Sequence, residues 1–459
     1  MALWAGAPSA QTAAPQAAIP AELALDRTLP IDPAVKSGKL PNGITYFIRQ
    51  NARPANRVSM RLAVNAASIQ EDADQRGLAH FLEHMAFNGS EHFKPGELVS
   101  FLESIGARFG PHVNASTSFD ETVYMLDIPT DRPGYVDRGL TVLQDFAAGM
   151  SLLPEEIEKE RGVVLEEWRG RLGAGSRLTE KQLPVIFQGS RYADRLPIGL
   201  PEILQKAPRE RIVAFYQKWY RPDRMAVVVV GDIPVADAEK MIVSHFGGIP
   251  AAKGTVAEVD ATVPAHKETL INMSTDPEAQ GWTVSVEFKH KAEEDETVRG
   301  YRKTLAESLI SQMLSLRLSD LSRRPNAPFL GAQAGTSSIG RSLDLFELEA
   351  MVPEGKITEG LGALMQEAKR AQQYGFSADE LNRAKAGVLA GYERAYKERA
   401  TSESANYANE YVRHFLTKEP IPGMEFEYRI ASTYIPTITS DEVTALVKEL
   451  ITDDNRVVL

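Results

Sequence analysis

The hydrophobic positions of this chain switch between a period of two and a period near 3.6, and the switches mark out its elements. Residues 43–48 and 58–64 are short β-branched or aromatic runs bounded by Asn42-Gly43 and Arg53-Pro54, which predicts two strands. Residues 77–88 take helical spacing and stop at Asn88-Gly89; residues 95–105 make a second helix, opened by Pro95 and closed by Gly106. Strand-like alternation returns over 112–128, and helical stretches follow at 135–150 and 154–171. A helix over 208–220 then feeds a strand at 225–230 that ends at Gly231-Asp232.

Residues 249–263 are poor in aromatics and contain Pro, Ala, Lys and Gly, the composition of a linker. Beyond them the order repeats, with strands near 269–273 and 282–288, a helix over 298–321, a strand at 345–351 and two more helices. One shift lays Pro129 on Pro353, Pro154-Glu155-Glu156-Ile157 on Ala378-Asp379-Glu380-Leu381, and Val164-Leu165 on Val388-Leu389. The pattern predicts a duplicated domain: a leader over 1–34, a first domain over 35–250, a linker at 251–264 and a second domain over 265–459. Under the repeat, the strand that opens at Arg224-Met225 corresponds to Arg456-Val457-Val458-Leu459, where the sequence stops. A strand cut short leaves ladder partners unpaired, so the expectation is the front part of something longer, its second domain truncated at the C-terminal end.

Composition narrows the function classes. Across 459 residues, 43% hydrophobic and 25% charged suits a soluble globular protein. Fifty-one Lys plus Arg against 62 Asp plus Glu leave a net charge of −11, which gives nothing to drive counterion release, so no nucleic-acid partner is expected. With no cysteine there is no disulfide framework, thiolate nucleophile or Cys-based metal site, and any metal must be held by His and carboxylate. The apolar run at 225–230 falls far short of the roughly 18 residues of a membrane span. No charged side chain precedes Glu22, the first twenty-odd residues are rich in Ala, Pro and Gln, and Ala5-Gly6-Ala7 fits a small-x-small cleavage pattern, although the basic n-region is missing. The expectation is an exported, periplasmic protein with a signal remnant and flexible lead-in; the alternative is a cytoplasmic one with a disordered leader.

His80-Phe81-Leu82-Glu83-His84 carries the sharpest chemistry. At helical spacing, positions i, i+3 and i+4 share a face, so two imidazoles and a carboxylate converge. Neutral imidazole suits zinc, a catalytic site needs a third protein ligand and an open position, and Glu83 can accept a proton from water there. The order H-x-x-E-H is the inverted zinc-peptidase motif. Phe81, Leu82, Met85 and Phe87 make the helix largely apolar, and in such surroundings unpaired His and Glu are costly without a metal. A carboxylate from a second helix would complete the site, and spacing alone leaves Glu160, Glu166 and Glu167 open as the third ligand.

These residues resemble the pitrilysin, insulin-degrading enzyme and mitochondrial processing peptidase family of zinc peptidases. The likeness runs from Leu40-Pro41-Asn42-Gly43 through the block from Gly77 to Gly89, Asn114-Ala115-Ser116-Thr117, and the block from Glu160 to Glu167. The chain looks like the N-terminal, zinc-bearing half of a large bacterial member whose two halves are fused. The resemblance implies an α+β fold of two homologous domains, each a mainly antiparallel sheet covered by helices, forming half of a chamber. It implies one Zn2+ per chain held by His80, His84 and Glu167, with Glu83 as general base and Glu160 as a supporting glutamate. It also implies that Asn114, Ala115 and Ser116 lie on an edge strand that takes substrate by strand addition. In the repeat, Glu160 falls on Ala384 and Glu167 on Gly391, and there is no second H-x-x-E-H, so the second domain is expected to hold no metal. Family members complete the site with an arginine and a tyrosine from the opposite half. Residues 323–330 have Phe329 where that tyrosine would stand, which leaves the role to a second homologous half, fused or separate, or to a homodimer partner.

His92, His112, His245, His266, His290 and His414 lack ligand spacing to the pair and read as surface or packing residues. Lys289-His290-Lys291 and Arg323-Arg324 read as solvated charges, and Met313, Leu314, Leu316 and Leu318 as core packing on a long helix. The expected function is a zinc metalloendopeptidase acting on unfolded peptides or small polypeptides. The alternative is a non-catalytic peptide-binding or assembly subunit of the same fold, and a hydrolase of a non-peptide substrate is a third class.

Overall fold

A computed structural model describes residues 19–459. Its first sheet holds β1 (Lys36–Lys39), β2 (Thr45–Gln50), β3 (Arg57–Val64), β4 (Val113–Thr117), β5 (Thr122–Pro129) and β6 (Met225–Gly231), in the order β1-β2-β6-β3-β5-β4. The second holds β7 (Leu270–Ile271), β8 (Trp282–Lys291), β9 (Gly331–Ser338), β10 (Leu343–Val352) and β11 (Arg456–Val458), in the order β7-β11-β8-β10-β9. Only β2 with β6 and β7 with β11 run parallel. Matching β2, β6, β3, β5 and β4 with β7, β11, β8, β10 and β9 makes the two orders identical, with the parallel pair in the same place. The sequence repeat is therefore a repeated topology, and the fold is α+β with two related domains.

Among the described residues, eight α-helices precede the linker: α1 (Leu78–Met85), α2 (Glu97–Ser104), α3 (Tyr135–Ala148), α4 (Pro154–Gly170), α5 (Ala174–Ile186), α6 (Pro201–Lys206), α7 (Arg209–Trp219) and α8 (Val235–Phe246). Six follow the linker: α9 (Val298–Ser322), α10 (Ile357–Tyr374), α11 (Ala378–Glu398), α12 (Ser404–Thr417), α13 (Met424–Tyr434) and α14 (Ser440–Leu450). Helix α4 opens at Pro154 and α11 at Ala378, the register read from the sequence. The register then slips, because α11 has 21 residues against 17 in α4, so Ala174 of α5 answers to Ser404 of α12.

Period-two alternation puts Met60, Leu62, Val227 and Val229 on the core that α1, α3, α7 and α8 complete. The opposite face of that sheet, with Phe47, Ala63, Val228 and Val230, is covered by Tyr411, Val412 and Leu416 of α12. Both faces of β6 are thus buried, which is why it reads as an unbroken apolar run. In the second sheet, Val284, Val286, Phe288, Phe346 and Leu348 meet α9 and α10. Leu343, Leu345 and Val457 on its other face pack against Leu183 and Ile186 of α5. Helices α5 and α12 hold equivalent places in the repeat, so each domain lends the same helix to cover the other's sheet.

Several expectations need correction. Of the flexible lead-in expected over residues 1–34, the described part is packed: Leu23 and Leu29 are buried in the second core, and the Tyr434 hydroxyl donates to the Leu23 carbonyl at 2.5 Å. The cleavage pattern at Ala5-Gly6-Ala7 lies outside the described residues. Lys289 is not solvated; it is 2% exposed, and its Nζ donates to the Ile186 carbonyl at 2.8 Å, at the C-terminal end of α5, where free carbonyls favour a cation. Leu316 points outward, while Met313, Leu314 and Leu318 are core as expected. The truncation at the C-terminal end stays an expectation; the short strand β11 lies between β7 and β8 and pairs with part of each.

A pH effect follows from β8 and β10. Glu287 and Glu347 stand directly opposite each other, and Glu287 is 6% exposed. Burial, with the Glu347 charge adding to it, pushes the Glu287 carboxyl up to about 7 from an ordinary 4.5. Between those values the folded chain holds a proton that the unfolded chain has released, so stability falls as pH rises through that window. Glu287→Gln should therefore be about 1–3 kcal/mol more stable than the parent at pH 8 and nearly equal to it at pH 4. Urea unfolding at the two pH values measures the difference, and an equal shift at both would rule this origin out.

Candidate metal centre

The H-x-x-E-H helix α1 is fixed from its N-terminus. Gly77 precedes it with φ +99°, and a Cβ there would lie 2.8 Å from the Gly199 Cα, so two backbones touch where only glycine fits. The buried Glu71 carboxylate accepts the Gly77 N–H at 3.0 Å and the Ala79 N–H at 2.8 Å, satisfying amides that a helix start leaves orphaned. Burial pushes the Glu71 carboxyl up to about 8, while those amides and the Arg195 and Arg191 guanidiniums pull the other way. Both arginines also donate to the Glu71 carbonyl.

Helical spacing then brings His80, Glu83 and His84 to one face, and the His80 and His84 rings meet edge to face with centroids 4.8 Å apart. Helix α4 packs across them. Glu160 and Glu167, two turns apart on one face of it, reach the same imidazole from opposite sides. Glu160 Oε1 is 2.8 Å from His84 Nδ1, and Glu167 Oε2 is 3.1 Å from His84 Nε2 and 3.6 Å from His80 Nε2. Glu166 points away and pairs with the exposed Arg169. Asn88 Nδ2 donates to Glu160 Oε2 at 2.8 Å and to the His84 carbonyl at 3.2 Å, locking that glutamate to α1.

A tetrahedral site with ligands about 2.0–2.1 Å from zinc has donor atoms about 3.3 Å apart, and the 3.1 and 3.6 Å separations straddle that figure. The ligand atoms of His80, His84 and Glu167 all lie within 4.8 Å of one another. The donor set thus fits zinc: two imidazole Nε2 atoms and one carboxylate, with a second carboxylate fixing the His84 tautomer from its far side. Electrostatics agree. Burial, reinforced by His84, pushes the His80 imidazole down to about 4, so it is neutral and has a lone pair. His84 is held above the ordinary range despite burial, because Glu160, Glu83 and Glu167 surround it. Partial burial pushes Glu167 up, but His80, Arg171 and His84 hold it below the usual carboxylate range overall.

Glu83 is 8% exposed, and burial pushes its carboxyl up, only partly offset by a hydrogen bond from Thr117 Oγ1 to Oε2 at 2.6 Å. Thr117 ends β4, which places the expected edge-strand residues beside the centre. Asp127 N–H bonds to the His112 carbonyl and Ser118 N–H to the Glu121 carbonyl, so even-numbered positions of β4 face β5. Ala115 and Thr117 therefore turn their N–H and C=O to the open edge, where the Ala115 N–H donates to Asn114 Oδ1 at 3.0 Å, while the side chains of Asn114 and Ser116 are exposed. The matching edge in the second domain is closed: Ser315 Oγ of α9 bonds to both the N–H and the C=O of Ala334 in β9.

The structure thus brings His80, Glu83, His84, Glu160 and Glu167 together and sets Asn114, Ala115 and Ser116 on an adjacent edge. Phe329 is buried in the second core. Among the described residues one other candidate cluster occurs, Glu91, His92 and Asp145. There the buried Asp145 already accepts from Ser90 Oγ, the His92 N–H and the His92 ring, so it acts as a loop fastening. Sequence reasoning gives Glu71 no role, Asn88 only that of a helix stop and Thr117 only a place in the strand block, since their partners at the site lie on other segments; the one local signal is an acid a few residues before a helix start.

Residues 46–178 match the family described as Insulinase (Peptidase family M16), and residues 206–388 match the Peptidase M16 inactive domain. This chain belongs to peptidase family M16. The M16 chain is 34% identical over 414 residues to the "Zinc protease PQQL-like" of Arabidopsis thaliana, covering 90% of itself and 40% of that protein. It is 30% identical over 422 residues to the "Probable zinc protease PqqL" of Haemophilus influenzae, covering 91% and 45% respectively. It therefore spans less than half the length of these curated relatives. Among solved structures, the first half of the periplasmic protease PqqL from Escherichia coli superposes with a TM-score of 0.89 at 26% identity, covering 94% of this chain and 92% of that one. The inactive-domain match falls on the part that lacks a second H-x-x-E-H.

Glu160→Gln should lower zinc affinity by about 10–100-fold, because the amide keeps an acceptor for His84 Nδ1–H but loses the charge that strengthens it as a ligand. Competition against a chelator of known affinity reads this directly, and an unchanged dissociation constant would remove Glu160 from the site.

Proposed function

We propose that this chain is the zinc-bearing part of a metallopeptidase that hydrolyses peptide bonds in unfolded peptides or small polypeptides. The observation that carries the reading is the convergence of His80, His84 and Glu167 around one point, with the buried Glu83 carboxyl beside it and a solvent-facing strand edge alongside, where the Ala115 N–H meets only the Asn114 Oδ1 of its own strand. Zinc bound there would supply Lewis-acid polarisation of a carbonyl and acidification of water. Glu83 takes a proton from the attacking water and later passes it to the leaving amine. Thr117 holds that carboxyl by its Oε2. Glu160, itself held by Asn88, keeps the proton of His84 on Nδ1 so that Nε2 is free to ligate.

Substrate lies along β4. The outward N–H and C=O of Ala115 and Thr117 pair with an extended peptide, which gives affinity through the backbone with little side-chain selection. An extended strand cannot be drawn from a folded domain without unfolding it, so unfolded chains are the better substrates. The groups expected from an opposite half belong to a second homologous half or to a partner copy. An exported, periplasmic location is part of the proposal, supported by the periplasmic relative and by the charge-poor leader. Among the described residues no helix is long and apolar enough to cross a membrane.

The test is hydrolysis of a quenched mixed-peptide library by the purified chain carrying one zinc. Cleavage supports a self-sufficient peptidase. If no cleavage occurs at full zinc occupancy, and none appears when a second half is added, the non-catalytic alternative takes its place.

A further inference from the structure

The hairpin between β9 and β10 docks on the first domain. At its tip Gly340 has φ +64°, and a Cβ there would lie 2.7 Å from the Tyr192 ring, so bare backbone lies against that ring. Arg341 follows. Its backbone N–H donates to Asp120 Oδ2 at 3.1 Å and to the Tyr192 hydroxyl oxygen at 3.2 Å. Its Nη2 donates to the Asp120 carbonyl at 3.3 Å and to Glu121 Oε2 at 3.0 Å, and its Nη1 donates to Asn65 Oδ1. The Tyr192 hydroxyl in turn donates to Asp120 Oδ1 at 2.6 Å. Asp120 and Glu121 form the turn that joins β4 to β5, and Asn65 follows the last residue of β3. One side chain of the second domain therefore ties together the ends of three neighbouring strands in the first.

That turn begins one residue after Thr117, whose hydroxyl holds Glu83. We infer that Arg341 is a positioning residue, which by gripping the β4–β5 turn from the second domain keeps Thr117 against the Glu83 carboxyl and the open edge of β4 in place. Its catalytic consequence rests on the peptidase reading above; its structural consequence does not. A planar guanidinium presents several N–H groups in a fixed fork and can bridge acceptors on two segments, which a lysine ammonium at the same position cannot reproduce. The ion pair with Glu121 is about three-quarters buried on both sides, so it is not an ordinary surface pair. The second domain, which lacks a metal-ligand set of its own, thereby acts on the reacting centre of the first.

The experiment compares the full chain with Arg341→Lys, Arg341→Met, Thr117→Val and the Arg341→Met/Thr117→Val double variant. Amide hydrogen exchange on the metal-free proteins comes first. Exchange over residues 113–122 should quicken about tenfold in both Arg341 variants, with α9 and β10 unchanged, because a local tie is lost and not the fold. Unaltered exchange in 113–122 overturns the inference, whether or not the chain cleaves anything. Should the methionine variant fold poorly, the lysine variant keeps charge and length and decides the question. On zinc-loaded protein at equal metal content, Arg341→Met should lower kcat about tenfold, and by much less when Thr117 is already valine. Additive losses would show that Arg341 acts elsewhere and sink the link to Glu83. A parent chain that takes up zinc and cleaves no peptide would remove the peptidase reading alone, leaving the exchange data to decide the clamp.

Discussion

Replacing Glu83 by glutamine lowers kcat for peptide hydrolysis by about 10²–10⁴-fold while zinc content stays at the parental level. Glutamine has the same length and can still accept from the Thr117 hydroxyl, so the local packing is kept. What it lacks is a site for the proton that must leave the attacking water. Zinc should be retained because the proposed ligands are His80, His84 and Glu167, while Glu83 points to Thr117. Burial, which pushes the Glu83 carboxyl above its usual range, favours this use: a base nearer neutrality both accepts and returns a proton readily. The measurement is hydrolysis of the quenched peptide library beside metal analysis of the same samples. Undiminished cleavage with full zinc would refute the base assignment, whereas loss of zinc would mean that Glu83 belongs to the ligand set.

Glu71→Ala has the other large effect, and it does not depend on any activity. The Glu71 side chain is fully buried and is the acceptor for the Gly77 and Ala79 amides at the start of α1. Alanine leaves those donors without a partner and opens a cavity. Together these should cost about 3–5 kcal/mol, with Arg191 and Arg195 left facing an emptied site. Since His80 follows Ala79 directly, the first zinc ligand should become mobile with the helix start, and zinc affinity should fall with stability. Urea unfolding and chelator competition read the two effects. A variant that unfolds at the parental urea midpoint would show that the cap is replaceable by water. Glu71→Gln, which keeps an acceptor, should be intermediate.

The division between what the sequence carries and what folding adds runs through particular residues. His80, Glu83 and His84 are legible because their relation is local: four consecutive steps of a helix fix the face they share, whatever the helix packs against. The strands around 43–48, 58–64 and 225–230 are legible for the same reason, since period two and its turn residues are short-range signals. The repeat could be read from a single offset, yet the slip between α11 and α12 could not, because the extra length of α11, 21 residues against 17, is about one helical turn and leaves its periodicity intact. Charge was the least readable property. Lys289 looked solvated in a run of basic residues and is buried, because the surface that covers it is α5 of the other domain.

By itself, the sequence determined a cysteine-free, acidic chain with a repeated order of strands and helices and one H-x-x-E-H helix, and it narrowed the third ligand to the carboxylates of a second helix; the α+β fold came from the family resemblance. The family resemblance singled out Glu167 and Glu160, and tertiary structure alone decided that they meet His84 from opposite sides and that Thr117 holds Glu83. It also decided that Glu71 caps the metal helix and that Arg341 reaches back across the domains. The physical reason is range. Helical and strand periodicity are fixed by neighbours a few residues apart, whereas a hydrogen bond between residues 76, 83 or 220 positions apart exists only once packing has chosen which faces touch.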